Sequence, residues 1–200
     1  APADDPKIAL AVIVENAGGG LDTVRSSATY TLGSELEDLV MTGASGIDGT
    51  GNAKANRLTG NAGANELNGA AGADTIDGGA GNNTLALKTA ATVNLGVVDQ
   101  TVGDATIVNN FQNVDASTLS SSVTITGSVN ANVITGGSGN DTIDGAGGAD
   151  VIAGGLGDDT ITYRGAETSI DGGVGSDTLL VGAGAAVTAV NFSVAAGADQ

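Results

Sequence analysis

Several residue types on which enzyme sites depend are missing from this 200-residue chain, which has no cysteine, no histidine and no tryptophan. Disulfides, zinc fingers, histidine-based metalloprotease sites and Ser-His-Asp or Cys-His catalytic groups are therefore excluded within it. Two tyrosines and two phenylalanines are too few to form a base-stacking platform. The sequence predicts neither an enzyme nor a nucleic-acid-binding protein.

Positive charge is also scarce. Six lysines and arginines stand against 23 aspartates and glutamates, which gives a formal net charge of −17 at pH 7. The six cations are scattered along the chain, and this disfavours a phosphate-binding surface. Acidic pairs such as Asp158 and Asp159 could serve acid–base catalysis, but their position in a glycine-rich loop favours metal ligation. Unless cations neutralise the acidic charge, self-repulsion opposes compact folding.

Long hydrophobic runs are absent as well. The apolar run at residues 8–14 is too short to cross a membrane. No basic start or cleavage motif precedes it, so a β-strand is expected there rather than a signal peptide. The missing initiator methionine is expected to reflect processing or excision.

What the chain does contain is a nonapeptide repeat. Residues 136–144, 154–162 and 172–180 all read G-G-x-G-x-D-x-U-x, where U is a large aliphatic residue. This pattern at a period of nine is typical of a calcium-binding parallel β-roll. Ten repeats have an aliphatic residue at position 8: Leu58, Leu67, Ile76, Leu85, Ile134, Ile143, Ile152, Ile161, Ile170 and Leu179.

Position 6 of the repeats carries a short polar residue. Its occupants are Asn56, Asn65, Asp74, Asn83, Asn132, Asp141, Asp150, Asp159, Thr168 and Asp177. The first four and the last six are out of phase with each other. The sequence therefore predicts two repeat blocks, at residues 51–86 and 127–180, separated by a different segment.

The residue type at each recurring position has a physical explanation. Glycine adopts positive φ without steric cost, so a tight loop can turn several carbonyls inward. The aliphatic residue at position 8 is predicted to point into the roll, and position 7, often threonine, to point outward. Calcium prefers six to eight oxygen ligands, and a glycine loop with one aspartate supplies about half of such a shell. Two stacked loops would complete it.

Disorder is the main alternative for a glycine-rich acidic chain. The hydrophobic content of 40% and its regular phase argue against disorder when calcium is present. One aliphatic residue per repeat is nevertheless a thin core. We therefore expect the metal-free chain to be largely unfolded.

The repeats resemble the repeats-in-toxin (RTX) family of secreted bacterial proteins. The resemblance implies an all-β fold, a parallel β-roll or β-solenoid with two nonapeptides per coil and calcium bound between glycine-rich loops on the same side. Position 6 side chains and loop carbonyls are the implied ligands. On this sequence the implied metal-binding residues are Asp74, Asn83, Asp141, Asp150, Asp159 and Asp177, with the loop glycines Gly137, Gly139, Gly155, Gly157, Gly173 and Gly175.

The same resemblance implies which loops pair. Asp141, Asp159 and Asp177 lie on one side, 18 residues apart, and frame two good sites. Poorer sites are implied on the other side and in the first block, where the partners are Asn132 with Asp150, Asp150 with Thr168, Asn56 with Asp74, and Asn65 with Asn83.

Some positions depart from the pattern. Asparagine at position 6 lowers the ligand charge and is expected to weaken calcium binding. Thr168, in the degenerate repeat at residues 163–171, is expected to end a site. Ala70 and Ala146 replace the second glycine, so their loops are expected to be reshaped.

The remaining segments are predicted to be β coils without strict nonapeptides. They are residues 1–50, a connector of longer coils at 87–126, and residues 181–200. Glu35, Glu37 and Asp38 favour a solvated edge over a helix turn or a second metal site. Residues 188–192 repeat 91–95, so a larger unit of about 94–100 residues recurs, and 181–200 is expected to begin a further copy.

Two function classes remain open. The first is a calcium-binding structural module of a secreted or cell-surface bacterial protein, such as a surface layer, adhesin or fibre, which folds on calcium binding after type I secretion. The second is the C-terminal secretion and folding appendage of an RTX protease, lipase or epimerase. The larger unit favours the first, and the full-length sequence would decide.

Calcium is the predicted ligand, and further copies of the chain are possible partners. A β-solenoid has open ends with unpaired backbone groups. An exposed end strand at residues 187–194 is expected to promote end-to-end association. Neither a nucleic-acid partner nor a membrane span is predicted.

Overall fold

The structure is a computed structural model that describes residues 12–14, 20–88, 92–102, 107–183, 185 and 192–194. Within these ranges all regular structure is β-strand, and most strand pairs are parallel. The strands coil into a β-solenoid, which confirms the predicted fold class. None of the described residues forms a helix long and apolar enough to span a membrane.

Twenty-one short strands follow one another along the described residues. In chain order they are β1 (Val12–Val14), β2 (Thr23–Ser26), β3 (Tyr30–Thr31), β4 (Asp38–Met41), β5 (Gly49–Thr50), β6 (Arg57–Thr59), β7 (Glu66–Asn68), β8 (Thr75–Asp77), β9 (Thr84–Ala86), β10 (Thr92–Asn94), β11 (Thr101–Val102), β12 (Ile107–Asn109), β13 (Asn113–Asp115), β14 (Thr124–Ser128), β15 (Val133–Thr135), β16 (Thr142–Ala146), β17 (Val151–Leu156), β18 (Thr160–Tyr163), β19 (Ser169–Val174), β20 (Thr178–Val181) and β21 (Phe192–Val194).

Three sheets form the walls of the solenoid. The long sheet has nine strands in the order β21-β19-β17-β15-β13-β9-β7-β5-β3. The N-terminal sheet has six strands, β1-β2-β4-β6-β8-β12, and the C-terminal sheet has six, β11-β10-β14-β16-β18-β20. Strands of the repeats alternate between the long sheet and one of the other two. Residues 18 apart therefore stack in register, as Ile143 does on Ile161.

The core is a ladder of the position 8 side chains. Nine of the ten are at most 3% exposed, and only Leu179, near the last coil, is partly buried. The position 7 threonines are half-buried or exposed, as the alternation along a strand requires. Position 6 also faces inward, since Asn83 and Asp150 have no exposed surface. Each loop thus places its polar side chain inside the solenoid.

The segment between the two blocks keeps the long sheet continuous but interrupts the opposite wall. β13 pairs in parallel with both β9 and β15. Before β13, the chain runs forward to β10, which pairs with β14, turns back through antiparallel β11, and places β12 beside β8. The β pieces expected here are present, but the sequence pattern does not predict this reversal.

A buried glutamine holds the reversal together. The side-chain amide of Gln100 donates to the carbonyls of Leu95 and Phe111, and its oxygen accepts from the Phe111 N–H. The Gln100 backbone N–H donates to the Val108 carbonyl at 2.7 Å. Gln100 therefore links the C-terminal sheet and the N-terminal sheet, which the reversal joins.

The two ends of the solenoid differ. β1 runs antiparallel to β2 and covers the first edge of the N-terminal sheet. The predicted strand at residues 8–14 is confirmed only for β1, because residues 8–11 lie outside the described ranges. At the other end, β21 extends the long sheet beside β19, while the C-terminal sheet ends at β20. Residues 187–191 of the predicted end strand also lie outside the described ranges.

Candidate calcium-binding loops

The position 6 side chains stand in rows, one residue per coil. In each row the backbone N–H of one position 6 residue donates to Oδ1 of the residue 18 positions later. The Asp141 N–H donates to Asp159 at 2.7 Å, and the Asp159 N–H donates to Asp177 at 2.9 Å. The same bond joins Asn132 to Asp150, Asn56 to Asp74, and Asn65 to Asn83, at 2.9 to 3.0 Å.

These rows bring together the side-chain pairs implied by the RTX resemblance, with one exception. Thr168 is exposed, and only its backbone N–H reaches the Asp150 carbonyl, at 2.7 Å. Its hydroxyl donates to the Ala149 carbonyl instead. The Thr168 side chain therefore does not continue the row.

In the first block, asparagine amides bridge neighbouring coils. The Asn56 Nδ2 donates to the carbonyls of Leu36 and Glu37, and the Asn65 Nδ2 donates to the Ile47 carbonyl at 2.6 Å. An amide supplies two donors, whereas a carboxylate supplies none. These coil-to-coil contacts are therefore complete without a metal ion.

Four loops share a conformation that we name closed. In a closed loop the backbone N–H of position 2 donates to the position 6 side chain of the same loop. The Gly137 N–H, for example, donates to Oδ2 of Asp141 at 2.7 Å. The closed loops are residues 51–56, 60–65, 127–132 and 136–141.

Five other loops share a conformation that we name open. Their position 2 residue lies in the left-handed region, with φ between 64° and 116°. Position 4 is also a glycine with positive φ, at 99° to 148°. The open loops are residues 69–74, 78–83, 145–150, 154–159 and 172–177.

The expectation that alanine at position 2 reshapes its loop is wrong. Ala70 and Ala146 adopt φ of 67° and 64°, close to the 74° of Gly79 at the equivalent position. Side chains with a Cβ pay a steric cost in this region. Both alanines nevertheless adopt the open conformation, and their N–H groups donate to Oδ1 of Asn68 and Asp144.

Three carboxylate oxygens of the open loops have no hydrogen-bond partner. They are Oδ2 of Asp150, Asp159 and Asp177, all buried. The Oδ1 atoms of the same residues accept the coil-to-coil bonds described above. A buried carboxylate oxygen without a partner is costly unless a cation neutralises it. The open loops of the second block therefore fit a bound cation.

Burial changes the acidity of these carboxyls. Desolvation raises the pKa of Asp159 to about 6, and the nearby carboxylates of Asp141, Asp177 and Asp158 act in the same direction. Desolvation also raises the pKa of Asp150 and of Asp74. Each of these groups resists carrying its charge in the folded, metal-free loop.

Glycine at position 1 allows the carboxylates to approach the backbone closely. A Cβ built on Gly154 would collide with Oδ2 of Asp159 and would lie 2.5 Å from the carbonyl oxygen of Gly172. A Cβ on Gly136 would lie 2.5 Å from Oδ2 of Asp141. Only glycine at position 1 therefore allows carboxylate and carbonyl oxygens, the ligands calcium prefers, to converge this closely on the loop.

The glycines at positions 2 and 4 line the gap between stacked loops. A Cβ on Gly157 would lie 2.6 Å from the carbonyl oxygen of Gly139. The same close approach to the carbonyl one coil earlier occurs for Gly155 on Gly137, Gly173 on Gly155, and Gly175 on Gly157. All six glycines whose carbonyls are implied as calcium ligands therefore lie along this gap.

Carboxylates alone do not form a metal site in the part of the chain that the structure describes, where no group of three or more acidic residues is close enough to hold an ion. A calcium ion would be held by one or two position 6 carboxylates together with glycine carbonyls of two loops. Bound there, calcium supplies positive charge that offsets the buried aspartates.

The comparison with known families agrees with this geometry. The family model for the RTX calcium-binding nonapeptide repeat matches residues 50–85, 126–161 and 169–186, in four copies. This match confirms the resemblance of the repeats to the RTX family. RTX nonapeptide repeats bind Ca²⁺. The match leaves out residues 162–168, which include most of the degenerate repeat. No curated protein and no solved structure matches the chain significantly.

One member of a row is not visible in the repeat pattern. Gln112 takes the place of a position 6 residue between Asn83 and Asn132. Its Oε1 accepts the Asn83 N–H at 2.7 Å, and its backbone carbonyl accepts from the Asn132 side chain at 2.5 Å. Gln112 lies outside every nonapeptide, so only the need for an acceptor opposite Asn83 could have indicated it.

Proposed function

We propose that this RTX chain is a calcium-dependent structural module of a secreted or cell-surface bacterial protein, such as a surface layer, adhesin or fibre. The observation that carries the proposal is the set of buried, unpartnered Oδ2 atoms of Asp150, Asp159 and Asp177. Without a cation these groups oppose folding. Calcium is then a part of the folded structure rather than an accessory to it.

The strongest sites are proposed between loops of the C-terminal sheet. Asp141 and Asp159 frame one site, and Asp159 and Asp177 frame the next. At least one loop of each pair is open, and its aspartate, Asp159 or Asp177, has a buried Oδ2 without a hydrogen-bond partner. Asp159 is shared by both sites.

Weaker sites are proposed where fewer carboxylates are available. Asp150 faces Asn132 in one of them, and Asp74 faces Asn56 in another. Each pair offers a single carboxylate. The pair of Asn65 and Asn83 offers none, so its calcium affinity is expected to be the lowest, because affinity depends on ligand charge.

Calcium-dependent folding suits export. The net charge of −17 and the thin aliphatic ladder leave the chain unfolded at low calcium. Extracellular calcium modules typically have dissociation constants of about 10⁻⁴–10⁻³ M. The chain would therefore cross the cell envelope unfolded and fold outside.

The recurring larger unit favours a structural role over an appendage of an enzyme. Residues 91–95 recur at 188–192, after the second repeat block. Units that stack in tandem are a property of solenoid arrays. Many copies of the unit in the full-length protein would support the structural role, and one copy beside a catalytic domain would support the appendage.

Association at the C-terminal end is part of the same proposal. The described residues place no strand beyond β20 in the C-terminal sheet, and Leu180 and Val181 are 50% and 52% exposed. The N-terminal sheet is covered by β1. Light scattering should therefore show association in calcium and none in chelator. A strict monomer at high concentration in calcium would contradict this part of the proposal.

Circular dichroism tests the calcium-dependent fold. In chelator the spectrum should be mostly that of coil, and about millimolar Ca²⁺ should produce a β signal. Mg²⁺ at the same concentration is the control, because it prefers octahedral geometry and retains its waters. Equal β content in chelator and in calcium would overturn the proposal.

A further inference from the structure

The open and closed loops differ in the residue that immediately precedes them. This residue is the last of the nonapeptide before the loop, a position that the repeat pattern leaves unspecified. Threonine precedes every closed loop: Thr50, Thr59, Thr126 and Thr135. The residues before the open loops are Asn68, Asp77, Asp144, Ala153 and Asp171.

The preceding asparagine or aspartate holds the position 2 N–H of the open loop. Asp171 Oδ1 accepts the Gly173 N–H at 3.1 Å. Asp144 Oδ1 accepts the Ala146 N–H at 2.9 Å. Asn68 and Asp77 make the same bond, to the N–H groups of Ala70 and Gly79. In closed loops the position 2 N–H bonds to position 6 instead.

Two acceptors therefore compete for one N–H group. Asparagine and aspartate readily bond the backbone two residues on, and threonine does so more weakly. When the preceding side chain takes the N–H, Oδ2 of the position 6 aspartate loses its partner, as in Asp177. When threonine precedes, the N–H remains on that oxygen, as in Asp141.

We propose that the residue preceding each loop is a positioning residue for calcium. Asparagine or aspartate there opens the loop and frees a carboxylate oxygen for the ion, and threonine keeps the loop closed. The inference rests on the proposed calcium sites. It assigns to Asn68, Asp144 and Asp171, which precede loops with an aspartate at position 6, a role that the nonapeptide pattern does not contain. Asp77 holds its loop open in the same way, but position 6 there is Asn83, which has no carboxylate oxygen to free.

Glycine content does not explain the difference between the loops. Loop 136–141 has Gly137 and Gly139 at positions 2 and 4, yet it is closed after Thr135. Loop 145–150 has Ala146 at position 2, yet it is open after Asp144. Loop 154–159 follows Ala153 and is open with glycine at both positions, so the open state is also accessible where no strong acceptor competes.

Coil order is the rival explanation, because the closed loops occupy the first coil of each block. Substitutions of the preceding residue separate the two, since they leave coil order unchanged. Thr135→Asn should open loop 136–141 and free Oδ2 of Asp141. Thr135→Val is the matched control, because valine has a similar shape and no acceptor, and should leave the loop closed.

The reverse substitution is made at Asp171. Asp171→Thr should close loop 172–177, whereas Asp171→Asn keeps an acceptor and should leave it open. Both variants remove the same charge, so their difference reports the hydrogen bond alone. Asp144 is less suitable, because Arg164 also binds it, with Nε 2.8 Å from Oδ1.

Calcium titrations followed by NMR, on the full chain, test the proposal. The amide signals of loops 136–141 and 172–177 give a local half-saturation for each site, and the coupling constants of Gly137 and Gly173 report φ at saturating calcium. Relative to its control, Thr135→Asn should bind calcium about tenfold more tightly, and Asp171→Thr about tenfold more weakly, the effect of one hydrogen bond to a charged group.

The possible outcomes are distinct. Equal affinities and unchanged φ within each matched pair, with calcium still bound, would overturn the positioning role and leave the calcium sites in place. Absence of calcium binding in every variant and in the parent chain would overturn the proposed function itself. The gain expected for Thr135→Asn guards against loss of folding, because an unfolded variant cannot bind more tightly.

Discussion

The two repeat blocks share one backbone pattern but differ in what holds their coils together. In the first block, residues 51–86, three of the four position 6 residues are asparagines, and amides such as that of Asn56 bond carbonyls of the previous coil. In the second block, residues 127–180, four of the six are aspartates. Three of those have an unpartnered buried oxygen. The contacts between coils can thus be completed by side-chain amides, or they can require a metal ion.

This difference predicts where calcium matters most. The second block should bind calcium more tightly and should depend on it for folding. The first block should bind it weakly, because only Asp74 provides a position 6 carboxylate there. Substitutions that exchange these properties between the blocks test the comparison.

The largest effect is expected from Asp159→Ala. Asp159 is shared by two proposed sites, and its Oδ1 also accepts the Asp141 N–H. We expect calorimetry to show fewer bound calcium ions and a loss of affinity of at least the roughly 10–100-fold that supporting residues cost at metal sites. Calcium binding to the first block should change little.

Asp158→Ala is the matched control for that experiment. It removes the same charge one residue away, where the side chain accepts only the exposed Ser176 N–H. Calcium stoichiometry should be unchanged in this variant. An unchanged stoichiometry in Asp159→Ala as well would show that Asp159 does not link two sites.

The second prediction concerns pH. Burial raises the pKa of Asp159 to about 6 in the folded, metal-free chain, above its ordinary value near 4. This group therefore favours folding below pH ~4 and loses that contribution as the pH rises through about 6. In calcium-free buffer, β signal should increase on acidification.

With calcium present the dependence reverses, because protons compete with the ion for the carboxylates. Half-saturating calcium should rise as the pH falls below about 6. Circular dichroism across pH 4 to 8, with and without calcium, follows both trends. Parallel pH profiles in the two conditions would contradict the assignment of buried aspartates as calcium ligands.

A smaller effect should follow from giving the first block a carboxylate. Loop 78–83 is already open, but its position 6 residue is Asn83, whose amide donates to the carbonyls of Ala80 and Asn110. Asn83→Asp should lower the half-saturating calcium for this block by about tenfold, because ligand charge sets affinity. It should also reduce β content in chelator.

Asn83→Ala is the control, because it removes the amide without adding charge. It should destabilise the block in both conditions and gain no calcium affinity. If Asn83→Asp behaves like Asn83→Ala in a calorimetric titration, the blocks do not differ through position 6 charge.

The smallest effect is expected at Ala146. Its φ of 64° is unfavourable for alanine, so Ala146→Gly should stabilise the calcium-bound chain by about 0.5–1 kcal/mol. Ala153→Gly is the matched control, since Ala153 lies within β17 and glycine weakens a strand by a similar amount. Thermal unfolding in calcium should shift in opposite directions for the two variants.

The sequence predicts the repeating part of this fold because the same local interactions recur in each nonapeptide. Two nonapeptides per coil, which the RTX resemblance implies, place Ile143 on Ile161, and the two-residue alternation of a strand turns position 7 outward. The same resemblance implies that Asp141, Asp159 and Asp177 lie in one row. These features depend on residues that are close in sequence and on the regular stacking of one coil on the next.

Other features depend on competition between hydrogen-bond acceptors for the same N–H group. A repeat pattern does not show which acceptor prevails. The sequence does not show that the Gly137 N–H bonds Asp141 while the Gly173 N–H bonds Asp171, because both loops have the same glycines. It does not show that Ala146 adopts positive φ, with its N–H bonded to Asp144. The reversal around Gln100 and the role of Gln112 depend on contacts between distant coils.

Diffraction from crystals grown in calcium, recorded with the anomalous signal of calcium, would locate each bound ion. We expect ions between loops 136–141, 154–159 and 172–177, with Oδ2 of Asp159 and Asp177 as ligands, and lower occupancy in the first block. Stronger occupancy in the first block, or a folded second block with no ion beside Asp159, would contradict this expectation.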